Sequence, residues 1–160
     1  MRALAMMAGM MMAATPAVTP ALGQQPVQWR VGDAVDVPLT LGGMTRQTVA
    51  WTDHGKARTC EGVWMTDLLA RAGAPVGDAV RGPALSMVVM AEAADGYRAV
   101  FSLGETDAKL GAARLLVADA CDGKRLEEAD GPLRIVAPGA ARGARSVRQL
   151  VRLTLLPIEK

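Results

Sequence analysis

From Gln25 onward the apolar residues build no long periodic stretch. They come in short runs cut by Gly, Pro and Asp, and that punctuation constrains the fold more than any other feature. Such runs fold as strands joined by tight connections, with helix as the exception. Strands are predicted over residues 27–31, 35–41 and 46–52. Pro38 places the second at a sheet edge or a strand start, because proline donates nothing to a ladder. Asp95-Gly96, between the runs 84–91 and 97–103, reads as the turn of a β-hairpin, and Asp122-Gly123 as a second turn after a strand over 114–119. Strands over 133–137 and 151–156 complete the set. The clearest helix is 63–72, where Val63, Leu68, Leu69 and Ala72 share one side and Gly73 and Pro75 end it. The expectation is an α+β domain, mainly β, with mixed sheets and a few short helices.

Composition bears first on the N-terminus: six of the ten methionines fall within the first dozen residues. Arg2 supplies a positive start, residues 3–14 are apolar apart from Gly9, and Ala21-Leu22-Gly23 has the small-x-small form of a cleavage site. Residues 1–23 read as a secretory signal peptide. Thr15, Pro16, Thr19 and Pro20 interrupt the stretch before the roughly 20 apolar residues that a membrane span requires. The mature chain, 24–160, is expected to be one domain in the periplasm or secreted. It contains no repeat, low-complexity segment or linker, and no later stretch resembles a transmembrane helix.

Charge and motif content exclude several function classes. Lys and Arg number 18 against 16 Asp and Glu, a formal charge of +2, which provides no basic face for nucleic acid. Trp29, Trp51, Trp64, Tyr97 and Phe101 stand singly in strand or helix contexts, as packing residues do. No phosphate loop, dinucleotide glycine motif or Cys-x-x-Cys is present. His54 is the only histidine, and no Gly-x-Ser-x-Gly elbow marks Ser86, Ser102 or Ser146 as a nucleophile. Glu92, Asp95 and Glu105 occupy turn-like positions, where carboxylates gather without catalysis.

Cys60 and Cys121 are the only cysteines, and export would expose both to oxidation. A disulfide is the leading reading; closing a loop of about 60 residues contributes roughly 3–4 kcal/mol through the unfolded state. Two alternatives stay open: one cysteine as a metal thiolate with His54 beside it, or both as buried thiols. Arg142, Arg145, Arg148 and Arg152 are spaced three, three and four. On a helix they would line one face behind the Gly139–Gly143 loop and hold a phosphate bidentately, or form a solvated basic stripe.

Five motifs lie in order along the chain. They are Gly62-Val63-Trp64-Met65-Thr66-Asp67-Leu68-Leu69 with Ala72-Gly73; Asp95-Gly96-Tyr97; and Leu115-Leu116-Val117-Ala118-Asp119 with Asp122-Gly123-Lys124-Arg125-Leu126. Gly131-Pro132-Leu133-Arg134-Ile135-Val136-Ala137-Pro138-Gly139 and Arg145-Ser146-Val147-Arg148-Gln149-Leu150 come after them. From about Val49 to Leu156 this order resembles the molybdopterin-binding domain of the sulfite oxidase family, short exported type. The resemblance implies the sulfite-oxidase-like fold around a pterin cleft and an oxidoreductase function with molybdopterin as cofactor. It also implies a periplasmic or membrane redox partner. Family members hold molybdenum through a cysteine thiolate upstream of the Gly-Val motif; here Trp51-Thr52-Asp53-His54-Gly55-Lys56 contains none. Cys60, two residues before Gly62, stands where the family more often has an aromatic residue, so no metal ligand is assigned to it. Arg134 matches the Pro-Leu-Arg arginine; Arg148 matches a usual lysine, followed by Gln149 in place of tryptophan. His54, Arg134, Arg145 and Arg148 are the cofactor-binding candidates. Two functional classes result: a domain that holds the pterin cofactor, and a cofactor-free binding or assembly module that keeps the fold and a disulfide.

Overall fold

The turn residues divide the chain into two sheets. The computed structural model describes residues 28–31, 37–111 and 113–158. Residues 1–23, read above as a signal peptide, and the predicted strand residues Val27, Val35 and Asp36 lie outside the described residues. One sheet holds β1 (Gln28–Val31), β2 (Val37–Pro38), β5 (Met87–Ala93), β6 (Arg98–Ser102) and β10 (Leu150–Pro157), in the order β2-β1-β10-β5-β6. Only β1 and β10 run parallel in it, and Pro38 sits on the edge strand, as its missing N–H requires. The other sheet holds β3 (Gln47–Asp53), β4 (Lys56–Trp64), β7 (Leu116–Cys121), β8 (Lys124–Arg125) and β9 (Arg134–Val136). Its order is β3-β4-β7-β8, with β9 also paired to β7.

Each sheet turns one face to a shared core: Val63, Val117 and Ile135 from one, Val89, Ala91, Phe101, Leu153 and Leu155 from the other. The period-two alternation of β7 then sends Leu116 and Ala118 to the opposite face. There they pack with Trp51, Cys60, Cys121 and Val136 in a second cluster. Helix α1 (Met65–Arg71) closes the core with Met65, Leu68 and Leu69. It ends in a Schellman motif: Ala74 N–H donates to Leu69 O, Gly73 N–H to Ala70 O, and Gly73 takes a φ of 81°. A single-turn helix α2 (Leu103–Thr106) is capped by Ser102 Oγ, which accepts from Glu105 N–H. Among the described residues no helix is long and apolar enough to cross a membrane.

Three sequence expectations are corrected. The predicted helix 63–72 starts at Met65, because Val63 and Trp64 continue β4 opposite Val117 and Leu116. Strand pairing overrides the local helical spacing there, so Val63 does not share the helix face. The strand expected from Ala84 starts at Met87, after a 3-10 turn over Gly82–Ser86 with Pro83 in its first positions. The arginine segment is not a helix: Gly143–Arg145 make one 3-10 turn, the flanking Arg142 and Ser146 are extended, and Arg152 lies in β10.

Asp107 pins the loop after α2 and is only 4% exposed. Its carboxylate accepts from the backbone N–H of Lys109 at 2.9 Å and of Gly77 at 2.7 Å, and these bonds hold its pKa below the usual 3.8. A depressed carboxylate contributes stability above its unfolded value and loses it as pH falls through the folded one. Asp107→Asn is therefore expected to melt earlier at neutral pH and to show a flatter loss of urea midpoint on acidification below 3.8. Parallel pH profiles for variant and wild type would refute this role.

Candidate functional site

The β3–β4 hairpin brings the histidine to a cleft. Asp53 pairs with Lys56, leaving His54-Gly55 as a two-residue turn with φ of 48° and 83°, both positive as a type I′ hairpin needs. His54 is thereby lifted into solvent, its side chain 86% exposed, with Nε2 at 3.8 Å from Asp53 Oδ1. Opposite it runs the loop after β9. Asp53, His54, Asp95, Tyr97, Arg134, Ser146, Arg148 and Gln149, with the backbone of Gly143 and Ala144, line an open cleft of about 270 Å³.

Arg134 forms the inner wall. It projects from β9 on the same face as Val136, is 1% exposed, and lays its guanidinium over Trp51 at 4.9 Å from the ring centroid. Nη2 donates to Asp53 Oδ2 at 3.2 Å. Nη1 lies 3.1 Å from Asp130 Oδ2, close enough for an ion pair but out of line for a hydrogen bond, and Nε also donates to nothing among the described residues. Arg58 braces the same carboxylates: its hydrogen bonds to Asp130 at 3.0 Å and Asp122 at 3.1 Å raise its pKa above the ordinary arginine value. Asp122 in turn accepts from Thr59 N–H at 2.9 Å, which with Arg58 lowers its own pKa.

The outer wall is held by neighbours. Tyr97 O–H donates to Ala144 O at 2.6 Å, tying the loop to the β5–β6 hairpin, and Ser146 Oγ accepts from Ala137 N–H at 3.2 Å. Gln149 takes a φ of 45°, fixed by Asp130 O, Glu128 O and Ala94 N–H. Such left-handed non-glycine backbone persists only where its surroundings over-determine it.

Of the four candidates, His54, Arg134 and Arg148 share this cleft. Arg145 does not line it: its guanidinium pairs with Glu105 and stacks over Phe101 at 4.9 Å, beside a different cavity. Cys60 and Cys121 are bridged across directly opposed positions of β4 and β7, and Trp51 Nε1–H donates to Cys60 Sγ at 3.3 Å. Both sulfurs belong to the buried second cluster, so the metal-thiolate and free-thiol alternatives fall. Among the described residues no three His, Cys, Asp or Glu side chains converge on a metal-sized site. Asp53 and Asp130, which position Arg134, are not marked by any motif; the only signal in the sequence is an Asp before a His-Gly turn.

The family profile described as "Oxidoreductase molybdopterin binding domain" matches residues 35–160. No curated protein matches the sequence. Among solved structures, the sulfane dehydrogenase SoxCD from Paracoccus pantotrophus is similar in fold, with a TM-score of 0.60 and 19% sequence identity over 84% of this chain. The matched region is 39% of that protein's chain, so this chain spans about two fifths of its length.

Proposed function

Because this chain belongs to the family of oxidoreductase molybdopterin-binding domains, we propose that the cleft under His54, Arg134 and Arg148 holds the anionic, acceptor-rich part of the pterin cofactor. The observation that carries this reading is Arg134. Buried donors are nearly always satisfied, yet Nε and Nη1 of this 1%-exposed side chain donate to no acceptor among the described residues while the residue lines the cleft. Both nitrogens are closed to solvent here, so a ligand oxygen or ring nitrogen would satisfy them once the guanidinium turns toward it. Arg148 and His54 then add charge and a donor at the rim, and Tyr97 keeps the Gly143–Ala144 backbone against the ligand.

When bound, the molybdenum cofactor supplies two-electron redox chemistry. The chain's own residues bind and orient it, and they offer no thiolate for its metal, since both cysteines are spent in the bridge. The fit is therefore to the pterin and its phosphate. Residues 1–23 as a signal peptide, together with a disulfide, support an exported domain that passes electrons to a periplasmic or membrane partner.

Purification from a host that loads a control molybdoenzyme, followed by pterin fluorescence and metal analysis, tests the reading. Near-stoichiometric pterin is expected. Arg148→Ala is expected to weaken cofactor retention about 10- to 100-fold, the loss of one charge-assisted hydrogen bond. Absence of pterin beside a loaded control would overturn the reading in favour of a cofactor-free module.

A further inference from the structure

The loop after β9 walls two cavities, and the second is the larger. Its volume is about 410 Å³, within the roughly 300–1,000 Å³ of small-molecule sites, against about 270 Å³ for the His54 cleft. Its lining is mostly apolar, with Leu115, Ala137, Pro138 and Ala140, and it includes two arginines, Arg114 and Arg145.

The charges on its lining decide what fits. Glu105 neutralises Arg145 through a direct carboxylate contact and also fixes the facing wall, since its backbone oxygen accepts from Ala113 N–H at 3.0 Å. Arg114 forms no ion pair among the described residues; its guanidinium rests on Trp64, 5.3 Å from the ring centroid, between this cavity and a smaller one beside it. The cavity thus presents one uncompensated positive charge over an apolar floor. We propose that this cavity is a binding site for a small organic monoanion, a carboxylate or sulfonate on a compact apolar body. Its anionic end would take the Arg114 fork and its body would cover Leu115 and Ala137. A dianion finds only one free cation, and an uncharged ligand leaves it unmatched.

The two cavities share no side chain, so the monoanion site stands independently of the cofactor cleft. The test titrates the purified chain with benzoate, and with benzyl alcohol as its uncharged counterpart, following backbone amide shifts. Saturable benzoate shifts are expected at Leu115, Ala137 and Gly139. Arg114→Gln is expected to weaken benzoate about tenfold while leaving benzyl alcohol unchanged. Glu105→Gln, which frees Arg145, is expected to tighten benzoate, an effect that a purely structural role would not produce. Equal binding of both probes, benzoate shifts confined to the His54 cleft, or no saturable shift would each overturn the proposal. The amide spectrum of each variant reports its fold in the same experiment.

Discussion

Replacing Gly62 with alanine is expected to collapse the second sheet. A Cβ there would sit 2.0 Å from Val117 O and 2.6 Å from Ala118 Cα, both backbone atoms of the neighbouring strand. The strands cannot part to admit it. One residue before Gly62 the pairing register shifts, two residues before it Cys60 is bridged to Cys121, and one after it Val63 is fully buried against Val117. At the bulge the β7 backbone lies too near β4 to admit a side chain, and only glycine permits that approach. With β4 and β7 central to the sheet, the loss should exceed about 4 kcal/mol of a total of roughly 5–15, lowering the melting temperature by more than about 10 °C or abolishing soluble expression. Gly143→Ala supplies the control: its Cβ would find only the His54 ring at 3.9 Å, an ordinary contact. If Gly62→Ala melts as the control does, the close approach is not what holds the sheet.

The same strand shows where the sequence stops being legible. The hairpin at Asp95-Gly96 and the turn at Asp122-Gly123 are readable because each dipeptide advertises a positive φ. His54-Gly55 makes an equally tight turn without a familiar dipeptide, so β4 leaves no such mark. Lys56 to Gly62 carries no alternation of large apolar residues, and its burial comes from the cysteine bridge and from Val117 lying across it. Arginines spaced three and four apart mimic a helix face, but Gly139 and Gly143 loosen that loop, and pairing with β5 captures the chain from Leu150 onward. The cleft is hidden for a different reason. His54 and Arg134 stand 80 positions apart and meet only through the β4–β7–β9 pairings, which no local pattern announces. Motif order nominates these residues; what they do to one another, through Asp53, Asp130 and Trp51, emerges only from the fold.

Arg134→Ala is the second large effect expected, and it separates the scaffold from the ligand site. Removing the guanidinium leaves the Asp53 and Asp130 carboxylates, 16% and 20% exposed, without their shared partner and strips the cation from Trp51. Breaking a buried pair from one side costs about 3–5 kcal/mol, because the remaining charge stays desolvated. Arg58, 3.0 Å from Asp130 and 3.9 Å from Asp53, offsets part of this and sets the expectation near the lower bound. Arg58→Ala should be milder, since that side chain is 21% exposed and water can replace it. Arg134→Lys should recover part of the stability by restoring charge. A compact ammonium cannot span both carboxylates, stack on Trp51 and keep further donors in reserve for a ligand at once. The lysine variant is therefore expected to fold with a modestly lowered urea midpoint yet retain far less pterin than wild type. Were Arg134→Lys to hold pterin as well as wild type, the unsatisfied donors would have no part in binding. Were Arg134→Ala as stable as wild type, the paired carboxylates would owe their placement to Arg58 alone.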